Sequence, residues 1–411
     1  MAKIKIKNIG PIKDGLDNDY INFNGVTIFI GNQGSGKSTI AKLFSTLSWI
    51  EKALVRGDFS VQYIVKYNRF KNKYLAYQNI NNYLKEDSYF EYIGNAYRLE
   101  YSKGQFKAKA IKSEKYSFPK IMYVPAERNF VSSVEKPDLI KRLPLPLYTF
   151  MDEYEEAKQN IKGNIQLPIG NVKFEYKKSN RKSYISGEDY NIELTEASSG
   201  YQSMVPLILV TKYLSDLISN KIHDNRKDIN REEEIKIRKA VTELLKDNKI
   251  TEEVLKAALE EISSRFKYES FINVVEEPEQ NLFPLSQKEI LFELLKYYNE
   301  NINNIFVMTT HSPYIINYLS LSIQSFYLKS EIEKLEDSDK KKTLIEKLNN
   351  IIPIASSINT DNVDIYEIND SGSIHKLDMP YGIPSDKNYL NQQLRSGNII
   401  FDNLLEIEEE L

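Results

Sequence analysis

The chain has 411 residues, 41% of them hydrophobic, which is enough for two or three domains with a sizeable core. It contains no cysteine, which excludes disulfides, cysteine-ligated zinc and thiol catalysis. A formal net charge of −3 gives no overall footprint for nucleic acid, and no apolar run approaches the ~18 residues that span a bilayer. The N-terminus, Met1 to Lys7, alternates like a strand where a signal peptide would carry an apolar block, so a soluble, cytoplasmic protein is expected.

The first strong element is the apolar run Val26 to Ile30, followed by Gly31-Asn32-Gln33-Gly34-Ser35-Gly36-Lys37-Ser38 and a helix-like stretch from Thr39 to Leu47. This is a full G-x-x-x-x-G-K-[ST] phosphate-binding loop in the strand–loop–helix context its chemistry requires. The glycines let backbone N–H groups turn inward around phosphates, Lys37 can reach the β- and γ-phosphates, and the Ser38 hydroxyl can hold Mg²⁺ at a helix N-terminus. Asn32, Gly34, Ser35, Gly36, Lys37, Ser38 and Thr39 are the candidate nucleotide contacts. A Tyr/Lys-rich region follows to about residue 120. Its cluster Lys66 to Lys73 interleaves cations with aromatics, and Lys107 to Lys115 and Lys173 to Lys182 are also basic. DNA is one reading of such clusters, and solvated lysines on exposed strand edges are the other.

A strand from Lys120 to Val124 runs into Pro125-Ala126-Glu127-Arg128-Asn129. Pro137 to Pro146 predicts a loop, Asp152 to Lys162 a helix, and the residues up to Leu194 short strands. Glu196 to Ser203, ahead of the apolar run Met204 to Val210, places a serine and a glycine at a helix start. That is an anion site by its hydroxyl, free N–H groups and dipole, or an ordinary N-cap. Residues 204 to 267 read as helical, with charged runs such as Arg231 to Glu234 and the amphipathic Thr251 to Leu259; the part from about 211 is a candidate helical hairpin. Phe271 to Val275 is a buried strand ending in Glu276 and Glu277, which would point to opposite sides if the strand continued past them. Ile305 to Thr309 is a second such strand, ending at His311. A lone histidine there is a structural hydrogen-bonder or a catalytic group, whereas His223 and His375 have no site context. Ser330 to Asn349 predicts a charged helix, Val363 to Leu377 a hairpin around Asn369 to Gly372, and Phe401 to Leu411 an acidic tail.

Four motifs in this order, spanning Lys3 to roughly Leu319, resemble the ATP-binding-cassette (ABC) ATPases, and among them the soluble RecF-like, SMC-like and OLD-like branch. The resemblance implies an α/β fold: an ATPase head over 1–320, with a β-rich lobe over about 1–120 and a helical insertion over about 211–267, then an α+β extension over 321–411. It implies ATP with Mg²⁺ held by Ser38 and Glu276, Glu277 as the base that polarises the attacking water, and His311 as the switch at the γ-phosphate. Ser199, Gly200 and Gln202 match the cassette signature, which closes on the ATP of the other subunit and so implies a head-to-tail homodimer. Two departures stand out: Glu276 replaces the usual Asp, and Tyr201 replaces a glycine. Arg128 lies in a segment found near the nucleotide in the OLD-like branch, where a structural salt bridge is the competing role. The coupling glutamine is not identifiable, with Gln78 and Gln105 both open. Asp361-x-x-Asp364 has the wrong spacing for a Toprim nuclease, so no intrinsic nuclease is expected. The motif set is most similar to ATPase subunits of bacterial phage-defence systems such as Septu and PARIS, which implies a separate effector such as a nuclease. The alternatives are a RecF-like repair ATPase that grips DNA and a scaffold that holds ATP with little turnover.

Overall fold

The computed structural model describes residues 2–409 apart from 18, 113–115, 136, 141 and 220–266. The expected insertion beyond residue 219, with its charged and amphipathic runs, lies outside the described residues, as do His223 and the end of the basic run at Lys115.

The apolar runs that bracket the motifs become the middle of one sheet. β3 (Val26–Gly31), β12 (Ser270–Glu276) and β13 (Ile305–Thr309) join β7 (Pro119–Val124), β14 (Val363–Ile368) and β15 (Ile374–Lys376) in the order β15-β14-β3-β13-β12-β7. All neighbours from β14 to β7 are parallel, which puts their C-terminal ends at one edge. The sheet is covered on both faces, and its strands alternate between two cores. Val26, Ile28 and Ile30 face one core while Phe29 faces the other; in β13, Phe306 and Met308 oppose Val307 in the same way.

The first core is closed by α3 (Phe130–Ser133), α4 (Leu145–Asn160), α5 (Ser199–Ile218), α6 (Pro284–Asn299) and α7 (Pro313–Glu333), and it extends under a small sheet of β8 (Ile165–Gln166), β9 (Lys173–Lys177), β10 (Lys182–Ser186) and β11 (Asn191–Glu193). The second core lies under α1 (Lys37–Arg56) and an antiparallel sheet ordered β2-β1-β4-β5-β6, built from β1 (Ala2–Ile9), β2 (Ile21–Phe23), β4 (Leu84–Ile93), β5 (Tyr97–Ser102) and β6 (Gln105–Ala110). The fold is therefore mixed α/β with a β-rich lobe near the N-terminus, as the motif pattern implied. Within that lobe the basic aromatic cluster follows the short α2 (Val61–Val65) as irregular turns up to Leu75.

Four expectations shift. The boundary expected near 320 falls inside α7, and the segment beyond it enters the central sheet, because β14 pairs in parallel with the phosphate-loop strand from Val363↔Val26 to Ile368↔Gly31. The single helix expected over Ser330 to Asn349 is two: α7 ends at Glu333 and α8 (Ser338–Ile351) begins afresh. Asp337 accounts for the restart, since its carboxylate accepts the N–H groups of Asp339 and Lys340 at 3.0 Å and caps the new helix. The acidic tail is the end of α9 (Tyr389–Glu409), in which only Leu390 is buried. The Pro-rich loop stops at Pro144, because Pro146 is tolerated in the first turn of α4. The expected β14–β15 hairpin forms, with Ile368 opposite Ile374. No helix among the described residues is long and apolar enough to cross a membrane.

Candidate functional site

The site is built where the C-terminal ends of β3, β12 and β13 reach the sheet edge, which is where open α/β sheets place their ligands. After β3 the chain turns through Gly31 to Gly36 and enters α1 at Lys37. Gly36 is the N-cap of α1 at φ +114°, and a Cβ there would stand 2.8 Å from Ile12 Cγ1, so both backbone and packing demand glycine. The Lys37 side chain is buried and folds back over the loop, its ammonium donating to Gly31 O at 3.0 Å and Asn32 O at 2.8 Å. Asn32 and Gly34 are exposed, Ser38 is half-buried, and Thr39 is buried. Ser35 Oγ is buried without a hydrogen-bond partner, a group an added ligand would satisfy.

β12 delivers the two acids differently from a continued strand. Glu276 is the last strand residue and is buried, with Oε1 unpartnered. Glu277 leaves the strand in the left-handed region at φ +45°, rare for a residue with a side chain, while its N–H still bonds Thr309 O at 2.9 Å. The acids thus separate by a change of backbone conformation instead of strand alternation. Glu277 Oε1 lies 3.5 Å from His311 Nε2, and His311 Nδ1 lies 3.4 Å from Lys37 Nζ. Lysine, histidine and glutamate, far apart in sequence, form one row along the sheet edge.

His311 is held by its backbone. Its N–H donates to Glu279 Oε1 at 2.7 Å, and the Thr310 hydroxyl donates to the same oxygen at 2.8 Å. Ser312 then caps α7, accepting from Tyr314 N at 3.2 Å. Glu279 was not singled out from sequence, although it is the third acid of Glu-Glu-Pro-Glu. Burial pushes its carboxyl above the usual range. Burial pushes Lys37 down to about 8, against the opposing pull of Glu277, Glu279 and Glu276. His311 is lowered from its ordinary value by burial and then by the Lys37 cation, so its ring is neutral at pH 7.

Arg128 lies against the backbone of the two acids. It is fully buried and makes no salt bridge among the described residues; its guanidinium donates to four backbone carbonyls. Nη1 bonds Glu276 O at 2.7 Å and Pro125 O at 3.4 Å, Nη2 bonds Glu277 O at 2.7 Å, and Nε bonds Ser203 O at 3.1 Å.

Ser199 and Gly200 open α5 as expected, both at least partly exposed, and the N-cap Ser198 makes no side-chain capping bond. The first-turn N–H groups therefore point out uncapped. Gln202 is turned inward, its amide donating to Thr195 O at 2.9 Å and Leu194 O at 3.3 Å, which closes the loop ahead of the helix. No hydrogen bond or ion pair among the described residues joins Ser199 or Gly200 to the phosphate loop. Of the two open glutamines, Gln78 is buried with Oε1 unpartnered, whereas Gln105 is exposed at the start of β6. Among the described residues no three His, Asp or Glu side chains form a ready metal cluster.

No protein-family model and no curated protein matches the sequence. Among solved structures, the chain is similar to the SMC head domain from Thermotoga maritima, at 12% identity over 77% of this chain and 90% of that one, with a TM-score of 0.35. It is also similar to an Smc head domain with an extended coiled coil bound to the C-terminal domain of ScpA, from Pyrococcus furiosus, at 10% identity over 93% and 98% of the two chains and a TM-score of 0.35. A third is a dimeric ATP-binding cassette in a post-hydrolysis state bound to ADP and Pi, at 12% identity over 77% and 91% and a TM-score of 0.28.

Proposed function

We propose that this chain is an ABC-type ATPase that closes head to tail around two ATP molecules and whose turnover controls a separate effector in bacterial anti-phage defence. The observation that carries the ATPase reading is the row Lys37–His311–Glu277, with spacings of 3.4 and 3.5 Å, beside a glycine-bound loop that opens α1. The residues fit the nucleotide and its metal: an ammonium already seated over the loop, an orphaned Ser35 hydroxyl, and a buried Glu276 with a free oxygen. Ser38 and Glu276 would hold Mg²⁺, which would polarise the phosphates. Lys37 orients the β- and γ-phosphates, Glu277 takes a proton from the attacking water, and neutral His311 hydrogen-bonds the γ-phosphate. Replacing Glu277 by Gln should leave ATP bound and slow hydrolysis by roughly 10²–10⁴-fold, the usual worth of a positioned base. Unchanged turnover in single-turnover assays would remove Glu277 from this role.

The defence role and the effector nuclease rest on the motif resemblance. They are tested by co-expressing the chain with its neighbouring gene product and challenging with phage, where Lys37→Ala should abolish protection. The purified chain alone should hydrolyse ATP and leave DNA and RNA intact with Mg²⁺ or Mn²⁺. A second reading, direct DNA binding, is favoured by one surface: the Arg69 guanidinium lies 4.0 Å over the Tyr63 ring and 5.1 Å over that of Tyr67, which is 81% exposed. Salt-dependent binding to DNA would support it.

A further inference from the structure

Arg128 connects two parts of the molecule that the nucleotide reading treats separately. One side of its guanidinium grips the carbonyls of Glu276 and Glu277, both at 2.7 Å. The other side bonds Ser203 O, at the start of the second turn of α5, at 3.1 Å. A planar guanidinium can make such a divergent set of bonds because its donors are fixed in a fork; a lysine ammonium is a point and cannot span them. The grip on Glu277 O falls at the residue held at φ +45°, a conformation that persists only when its surroundings over-determine it.

The α5 side of the bridge has its own cause in the sequence. Pro206 lies inside α5 and lacks the N–H that would bond Gln202 O. The Ser132 hydroxyl takes that place, donating to Gln202 O at 2.5 Å, and Ser132 sits one turn beyond Arg128 on the same segment. Asn281 adds a second tie from the loop after the acids, its amide donating to Ser203 Oγ at 3.0 Å, and a Cβ on Gly200 would stand 3.0 Å from Asn281 O. The start of α5, the 125–133 segment and the Glu276–Asn281 loop are thus tied together. Burial lowers Arg128 only to about 10, so it is a cation at neutral pH, surrounded by Glu279, Glu277 and Glu276.

We propose that Arg128 is a positioning residue: it sets the left-handed backbone of Glu277, and so the aim of its carboxylate, and couples that aim to the N-terminal end of α5. This rests on the reading of Glu277 as the group that polarises water. Movement of Ser199 and Gly200 on contact with a ligand would then reach Glu277 of the same chain through one side chain, without passing through the phosphate loop.

The test is a kinetic double-mutant cycle on the full chain, with Arg128→Lys, Glu277→Gln and the pair. Arg128→Lys should lower kcat by roughly 10–100-fold, the scale of an ångström-sized misplacement, with the Kd for a non-hydrolysable ATP analogue unchanged within about twofold. Added to Glu277→Gln it should lower kcat no further, because the carboxylate it aims is already gone. Equal losses of kcat in both backgrounds, or a matching loss of nucleotide affinity, would overturn the proposal and leave Arg128 a structural residue. Asn281→Ala weakens the same tie from a partly exposed position and keeps the test open should Arg128→Lys melt below the assay temperature; a smaller kcat loss that vanishes in the Glu277→Gln background is expected, and an additive one refutes the coupling. If Glu277→Gln itself leaves turnover unchanged, the role of Glu277 fails, which is a separate result from additivity.

Discussion

The phosphate loop and the start of α5 are both helix N-termini, and they are prepared in opposite ways. The loop is furnished by its own chain: Lys37 is seated on two carbonyls, His311 and Glu277 stand in line behind it, and Gly36 fixes the entry to α1. At α5 the inward side is bonded through Gln202, Ser132 and Arg128, while Ser198, Ser199 and the uncapped N–H groups face outward with no cation of their own beside them in sequence. A site furnished with cation, acids and histidine can bind phosphate alone. A bare helix start supplies a dipole and a hydroxyl, which is useful only when something brings the phosphate to it.

The largest effect that would break this contrast is at Lys37. On the proposed reading, Lys37→Ala removes the ammonium that meets the β- and γ-phosphates and should abolish ATP binding in equilibrium titration, whereas Ser199→Arg should leave binding to the isolated subunit intact while stopping turnover. If the two N-termini act across a dimer, mixing the two inactive proteins should restore activity. One kind of heterodimer site then pairs a sound loop with a sound α5. Absence of recovery, with heterodimers shown to form by native mass spectrometry, would sink the shared-site idea.

A smaller effect separates two glycines of the loop. Gly34 and Gly36 both have positive φ, +76° and +114°, but a Cβ at Gly34 meets nothing within 4 Å while one at Gly36 meets Ile12 at 2.8 Å. Gly36→Ala should lower stability by about 1–3 kcal/mol through backbone strain with packing added, and Gly34→Ala by less, through strain alone. Thermal melts of the two variants without nucleotide would show the order. Equal melting temperatures would mean that Ile12 yields and the loop is less tightly built than its packing implies.

How legible these regions were depended on how local their causes are. The phosphate loop is eight contiguous residues between an apolar run and an amphipathic helix, so its strand, turn and helix could be read directly. The strands before Glu276 and His311 were legible for the same reason, as short apolar runs. Arg128 was singled out but its bonds were not legible, because its partners Ser203 and Glu277 lie 75 and 149 residues away and only the folded chain brings their carbonyls together. The left-handed Glu277 was invisible too: a periodicity argument assumes that a strand continues, and here it stops one residue earlier. The C-terminal region misled by distance. β14 reads as an independent hairpin strand, yet it pairs with β3 from the other end of the sequence, a choice fixed by which sheet edge is open.

The smallest predicted effect concerns pH, and it bears on the furnished site alone. Burial pushes Lys37 down to about 8, and its largest opposing influence is Glu277. The sign follows from which form binds. Phosphate needs the ammonium, and a bound polyanion favours it further, so the lysine pKa in the complex lies above that in the free protein. Between pH 6 and 7 the free protein already carries the charge at Lys37, and this group leaves affinity flat. Above pH 8 the free protein loses the proton that the complex keeps, so binding must take one up, and Kd should rise by up to about tenfold per pH unit until the complex itself titrates. Calorimetry at pH 9 in buffers of different ionisation heat should register uptake of nearly one proton per nucleotide, falling toward zero at pH 7. In Glu277→Gln the opposing carboxylate is gone, the free lysine titrates lower, and the rise in Kd should begin at lower pH. A wild-type affinity that stays flat from pH 7 to pH 9.5 would mean that Lys37 is not the cation that meets the phosphates, and the contrast between a furnished loop and a bare α5 would lose its basis.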